Sequence, residues 1–295
     1  MTKQFFIAGL GEILFDVLAD SEEIGGAPVN FAYHAGRLGA EGAAISTLGN
    51  DRRGRRATNE LMDRELCLSG VSIDQDHETG YVEAQLDEDG VATYYFPDDI
   101  AWDHLKLNDI AMGFASQVDA VCFGTLAQRS EESRKAILTF LNAAPQALKI
   151  YDMNLRQLFY TKEIITESLH QADVLKLNED EIRVIAPMFQ LNGSERDMLK
   201  KLHKEFNLNC SVLTRGSKGS LIIRDNEEVE HPGIKIKEVE DTIGAGDAFT
   251  ASVVIGLLLG HPLIKISDHA NRLAAHVCSC KGAMPAIPSE FKLIK

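Results

Sequence analysis

Apolar runs of strand length alternate with amphipathic stretches through most of the chain, and that alternation leaves few folds open. Phe5–Leu10, Ala43–Leu48, Val118–Phe123, Leu148–Tyr151, Val174–Leu177 and Cys210–Leu213 read as buried strands. Between them Pro28–Leu38, Arg53–Glu65, Glu131–Asn142, Glu179–Met188 and Glu195–Phe206 read as helices. Such alternation builds an α/β fold with a mostly parallel sheet covered on both faces. With no fixed-period repeat and no low-complexity linker, the 295 residues read as one large unit, 1–295.

One segment departs from this rhythm. From Gly80 to Phe96, Val82, Ala84 and Leu86 alternate with Tyr81, Glu83 and Gln85, a period of two, and Asp89-Gly90 supplies a turn. The expectation is a β-hairpin inserted into the α/β chain. A lone hairpin needs another layer to be stable, so it reads as a lid over a pocket, a dimer contact or an ordinary sheet edge.

A net charge of −14 opposes nucleic-acid and anionic-membrane partners, which need a positive field. The run Asp51-Arg52-Arg53-Gly54-Arg55-Arg56 is short and sits on an expected helix. A neutral small-molecule substrate fits this balance best. The five cysteines are scattered and lack zinc-site spacing, so they read as reduced thiols. Glu12 and Asp16 interrupt the apolar start, and no small-residue cleavage site follows. The longest uncharged apolar stretch, Ala248–Gly260, falls short of the roughly 18–20 residues that span a bilayer. The expected location is the cytoplasm.

The most informative stretch is Asp241-Thr242-Ile243-Gly244-Ala245-Gly246-Asp247, followed by almost continuous apolar residues. Glycines around an alanine let the backbone turn with its N–H groups pointing one way, and the next helix adds its positive end. Such a place binds an anion, and Asp247 sets a carboxylate beside it. That carboxylate can take the proton of a hydroxyl attacking a phosphate. The same pattern is also compatible with a glycine-rich turn whose Asp247 favours the helix dipole.

Weaker signals accompany it. In Gly25-Gly26-Ala27-Pro28-Val29-Asn30, Pro28 suits a helix first turn, and Asn30 offers a donor and an acceptor to hydroxyls. Asp152-Met153-Asn154-Leu155-Arg156 follows a strand end, where parallel sheets bind ligands, so Arg156 is placed either to meet a phosphate or to make a surface ion pair. Asn178 with Glu181 forms a capping box and equally suits the water shell of Mg²⁺. Thr214-Arg215-Gly216-Ser217-Lys218-Gly219 reads as a hairpin turn or a loop along a nucleotide. No GxxxxGK[ST] loop occurs, and Gly9-Leu10-Gly11 lacks the third glycine of a dinucleotide fingerprint.

Taken in order, Gly25-Gly26-Ala27-Pro28-Val29-Asn30, Gly49-Asn50-Asp51, Asn178…Glu181, Thr214…Gly216…Gly219 and Asp241…Asp247 resemble the motifs of the ribokinase-like (PfkB) carbohydrate kinases, nearly end to end. The resemblance implies a three-layer α/β/α core with a small β-sheet lid from about 12–24 and 80–102. It implies ATP and Mg²⁺ as well. Carried over, Asp247 resembles the base, Gly244, Ala245 and Gly246 the anion hole, and Arg156 a neighbour of the transferred phosphate. Asp16, Gly26 and Asn30 match sugar-binding positions. Asn178, Thr214, Gly216, Gly219 and Asn271 match the nucleotide side, and Glu181 the magnesium side. Many members bind a monovalent cation such as K⁺, and Asp241, Ile243 and Lys281-Gly282-Ala283 resemble that site. Within the family, Gly11-Glu12-Ile13-Leu14-Phe15-Asp16, Asn30-Phe31-Ala32-Tyr33-His34 and Ala101-Trp102-Asp103 resemble bacterial fructokinases, with Tyr94 and Phe96 as lid side chains that select the sugar. Ribose, 2-keto-3-deoxygluconate and a non-catalytic sugar-binding regulator are the alternatives, and a homodimer through the lid is a further expectation.

Overall fold

The computed structural model describes residues 4–18, 21–86 and 92–294. The chain begins with β1 (Phe6–Leu10), β2 (Leu14–Leu18), β3 (Ser21–Gly25), α1 (Ala27–Arg37) and β4 (Glu41–Gly49). There follow α2 (Arg52–Asp63), β5 (Cys67–Asp74), β6 (Gly80–Leu86), β7 (Ala92–Tyr95), α3 (Asp109–Ala115), β8 (Ala120–Gly124) and α4 (Glu131–Ala143). Next are β9 (Leu148–Asp152), α5 (Lys162–Gln171), β10 (Val174–Asn178), α6 (Glu179–Ile185) and α7 (Glu195–Glu205). The remaining elements are β11 (Cys210–Thr214), β12 (Ser220–Arg224), β13 (Glu227–His231), α8 (Ala245–Leu258) and α9 (Leu263–Cys278).

The large sheet has nine strands in the order β13-β12-β11-β10-β9-β8-β1-β4-β5. Pairing is parallel from β11 to β5 and antiparallel at β11–β12 and β12–β13. The parallel strands are buried because both faces are covered. On one face α1, α8 and α9 pack through Phe31, Phe249, Val253, Ile266 and Leu273. On the other, α3 to α7 pack through Ala111, Phe140, Ile165, Ile182 and Leu199. This is the expected three-layer arrangement. The chain leaves β1 toward β4 and β5, then returns to the other side of β1 as β8. That reversal opens a crevice beyond the carboxyl ends of the strands, where ligands of doubly wound sheets bind.

Local chemistry sets the helix starts. Ser130, Thr161, Asn178 and Ser194 cap α4, α5, α6 and α7 with side-chain acceptors, each satisfying first-turn amides. Pro28 stands in the first turn of α1. Helix α8 is apolar all round because it is enclosed, with Ala248 to Gly256 buried.

Strands β2, β3, β6 and β7 form a separate small sheet in the order β3-β2-β6-β7. The β2–β3 and β6–β7 pairs are antiparallel and β2–β6 is parallel. The hairpin expected at Gly80–Phe96 is therefore real, while its Asp89-Gly90 turn lies outside the described residues. The alternation holds at its base, where Val82 is buried and Tyr81 lies under the Arg53 guanidinium, 4.0 Å from the ring centroid. The small sheet ends at Tyr95. Trp102, expected within the lid, is instead fully buried in the main core with the Arg129 guanidinium over its ring. Among the described residues no helix is long and apolar enough to cross a membrane.

Candidate active site

A cavity of ≈580 Å³ opens in the crevice between the large and small sheets. Its floor is the start of α8. Gly244 adopts a left-handed conformation (φ 76°), and a Cβ there would run into the Ala283 carbonyl. Helix α1 holds that carbonyl in place, since His34 Nε2 donates to it at 2.9 Å, and Tyr33 Oη donates to the Pro285 carbonyl at 2.7 Å. In the first turn, Ala245 N–H points back to the Thr242 carbonyl at 3.4 Å and Ala248 N–H to that of Gly244 at 2.9 Å. The N–H groups of Gly246 and Asp247 have no backbone acceptor among the described residues. They add to the positive end of the helix dipole and can receive an anion.

Asp247 stands beside them. Its Oδ2 accepts a hydrogen bond from Asn30 Nδ2 at 2.8 Å, while Asn30 Oδ1 is buried without a partner among the described residues. Desolvation and the nearby Asp152 carboxylate raise the Asp247 pKa to about 6, against opposing pulls from Lys176, Asn30 and Arg156.

Two charged residues in the cavity were not singled out from the sequence. Lys176, inside the apolar run of β10, donates to Asp152 Oδ1 at 2.9 Å, and both side chains are buried. Parallel pairing of β9 and β10 sets Lys176 directly beside Asp152. Burial opposes the ammonium charge, but the carboxylates of Asp152, Glu181 and Asp247 outweigh it and keep Lys176 protonated. A Cβ on Gly246 would lie 3.1 Å from Lys176 Nζ, so this cation adjoins the anion-receptive turn. Thr250 Oγ1 lies 3.0 Å from Asp152 Oδ2 and 2.9 Å from the Gly246 carbonyl, which fastens the pair to α8. The second residue, Glu12, follows β1. Desolvation raises its pKa to about 7, and Oε2 is buried without a partner among the described residues. From the sequence Glu12 stands out as a break in an apolar run and as part of the fructokinase-like stretch Gly11–Asp16, without a role of its own, although a charge at a strand's carboxyl end is the usable signal.

The other expected site residues divide by position. Asp16, Gly26, Asn30, Tyr94, Phe96, Arg156, Asn178, Glu181, Gly244, Gly246 and Asp247 line the one cavity. Desolvation raises the Asp16 pKa, partly offset by Arg156. Gly26 holds φ 118°, and a Cβ there would lie 2.4 Å from the Glu12 carbonyl oxygen. Phe96 is buried and meets the Phe159 ring edge-on, while Tyr94 is 53% exposed and its carbonyl accepts from Gln157 Nε2. Asn178 and Glu181 complete the expected capping box. Glu181 Oε2 accepts from Asn178 N–H at 2.8 Å and Oε1 from Leu155 N–H at 3.0 Å.

Ala245, Thr214, Gly216, Gly219, Asn271 and Asp241 are not part of the cavity wall. Thr214, Gly216 and Gly219 lie where β11 turns into β12, the hairpin alternative of the sequence reading. Asn271 is buried and spends its Nδ2 on Ser220 Oγ and the Ser267 carbonyl, both at 2.8 Å. Asp241 accepts from Ile243 N–H at 2.7 Å and from Gly282 N–H at 3.1 Å, joining the two segments expected around a monovalent cation.

The architecture is that of the ribokinase-like sugar kinases. The chain belongs to the pfkB family of carbohydrate kinases, whose model matches residues 11–290. It is 29% identical to a fructokinase of Escherichia coli over 308 residues, covering 96% of each chain. A fructokinase of Salmonella typhimurium is 28% identical over 303 residues, again with 96% of each covered. The crystal structure of an uncharacterized sugar kinase from Pyrococcus horikoshii in complex with ATP superposes with a TM-score of 0.83 at 28% identity, covering 94% of each chain.

Proposed function

We propose that the chain phosphorylates a small neutral sugar at a primary hydroxyl with ATP, converting fructose to fructose 6-phosphate. The observation that carries this reading is the meeting of Asp247, held by Asn30, with the Gly246 and Asp247 amides and the buried Lys176 in one cavity. Fructose is favoured by the fructokinase relatives of Escherichia coli and Salmonella typhimurium. ATP is favoured by the nucleotide in the Pyrococcus horikoshii structure.

The residues present suit a nucleotide's phosphates. Unpaired amides at a helix start, a buried ammonium and the Arg156 guanidinium at the cavity wall all favour an anion. Both Glu181 oxygens already accept backbone hydrogen bonds, so Glu181 suits a metal's water shell through its remaining lone pairs. Asp241, with the backbone around Ile243 and Gly282, is the place for K⁺ if one is used.

The mechanism follows from the positions. Bound MgATP supplies the phosphoryl group and spreads its charge. Asp247 accepts the proton of the attacking hydroxyl, and Asn30 keeps the carboxylate turned toward it. The Gly246 and Asp247 amides, with Gly244 shaping the turn, stabilise charge on the transferring group without reorganising. Lys176 balances the carboxylates around it, so that the cavity floor admits an anion. Asp16, Asn30 and the unpaired Glu12 oxygen are positioned for sugar hydroxyls. Val82, Tyr94 and Phe96 of the small sheet and its exit form a lid that excludes water as a competing acceptor.

A coupled assay of ADP formation across fructose, ribose, 2-keto-3-deoxygluconate and their phosphates, with and without K⁺, tests this. The reading requires sugar-dependent ADP formation that is fastest with fructose. Sugar binding without ADP would establish a non-catalytic regulator instead.

A further inference from the structure

Apart from the catalytic cavity, two imidazoles and a carboxylate meet where the chain enters and leaves the β6–β7 hairpin of the small sheet. His77 lies between β5 and β6, Asp99 follows β7, and His104 ends the 3-10 turn Ala101–His104. One donor atom from each lies within 4.8 Å of the others. Asp99 Oδ1 is 2.8 Å from His104 Nε2 and 3.6 Å from His77 Nε2.

The opposite ring nitrogens are held separately. His77 Nδ1 is 3.0 Å from Asp74 Oδ1, and His104 Nδ1 is 2.8 Å from Glu132 Oε2. A carboxylate that accepts from Nδ1–H fixes the tautomer whose Nε2 carries the lone pair, and this second contact is what orients metal-ligating histidines. Here both rings have one. With Nδ1–H donating, the His77 Nε2 lone pair faces Asp99 Oδ1 at 3.6 Å with no proton between them, beside the 2.8 Å contact of His104 Nε2 with the same oxygen. A proton serves His104 alone. A metal ion serves all three.

We propose that His77, His104 and Asp99 bind a divalent first-row transition ion of the Zn²⁺ class, leaving a further position for water. Two imidazoles and one carboxylate select such ions over Mg²⁺ or Ca²⁺, which take oxygen ligands. Metal bonds of about 2.0–2.1 Å in a tetrahedron set ligand atoms about 3.4 Å apart, so the His77–Asp99 spacing is already suitable and the His104–Asp99 contact has to widen slightly. The rings stack at 3.6 Å between centroids, 15° from parallel, and must splay for both lone pairs to converge. Asp99 is largely exposed and both imidazoles are partly so, which leaves room for that movement. The bound ion ties the two connections that flank the β6–β7 hairpin to α4 through Glu132.

The test is titration of the chelator-treated, nucleotide-free protein with Co²⁺, read by visible absorption, and with Zn²⁺, read by calorimetry. The wild type should bind one ion per chain with the d–d spectrum of a nitrogen–oxygen site. His77→Ala and His104→Ala should each lose that binding, while melting as the metal-free wild type does. Glu132→Gln, at an exposed position, should weaken binding by about tenfold. Asp247→Asn should leave it unchanged. The proposal is overturned if the wild type takes up no stoichiometric ion, or if His104→Ala binds as the wild type does. It is equally overturned by a thiolate charge-transfer band, which would place the ion at one of the partly exposed cysteines, Cys67, Cys278 or Cys280.

Discussion

Asn30 Nδ2 donates to Asp247 Oδ2 at 2.8 Å, a bond that joins the first turns of α1 and α8 across 217 positions of sequence. It ties the sugar side of the cavity to the anion side. The remaining Asn30 acceptor is buried and unpaired among the described residues, and the proposed function gives it a sugar hydroxyl as partner. Asn30→Ala should therefore raise the sugar KM and lower turnover, with little change in nucleotide affinity measured by calorimetry.

Activity should depend on pH through Asp247. Its pKa is raised from 3.8 to about 6, and only the ionised form accepts a proton, so turnover should climb as pH rises through about 6 and then level. Glu12, raised to about 7, shares the cavity. Glu12→Gln separates the two: a limb near 6 that survives this change belongs to Asp247. Stability has the opposite sign. A carboxyl whose folded pKa lies above its ordinary value contributes stability below about pH 4 that is lost as pH rises through 6. Asp247→Asn should thus melt higher than the wild type at pH 8, and the gap should close in acid.

Lys176→Met should leave the Asp152 carboxylate buried without its cation. Breaking a buried pair in this way costs about 3–5 kcal/mol, measurable by urea unfolding. Adding Asp152→Asn should recover much of that loss. Because Lys176 also holds the Asp247 pKa down, the surviving activity of Lys176→Met should show its acid limb at higher pH.

Gly244→Ala should be damaging for a backbone reason. The left-handed conformation costs an L-residue about 1–2 kcal/mol, and the new methyl would push on the Ala283 carbonyl that His34 holds. Unfolding measurements should show the loss, and nucleotide binding should weaken because the turn no longer presents its amides. By contrast Tyr94→Ala, at an exposed position over the cavity, should change Tm little while raising the sugar KM.

Much of this site is written locally. The glycines and Asp247 precede an apolar run, so a turn, a helix start and a carboxylate can be read together. Asn178 and Glu181 likewise announce their capping box. The layered sheet follows from strands and helices of recognisable length. What escaped the sequence depends on distant partners. Lys176 looks like an interruption in β10 until parallel pairing sets Asp152 at its side. Glu12 and Asn30 carry unpaired oxygens that only the assembled cavity reveals. Strand β13, Glu227–His231, has an edge strand's charged composition, and β5 mixes buried and exposed positions, so neither gives a clean period. Trp102 sits near the hairpin in sequence, yet its large ring is buried in the main core.

The role of Asp247 is tested most directly by the rate of ADP formation by Asp247→Asn at saturating ATP and fructose. Loss of the base should lower turnover by at least about 10²-fold. ATP affinity should be preserved, because the substitution leaves the backbone amides of the helix start in place. Turnover close to that of the wild type would contradict the account.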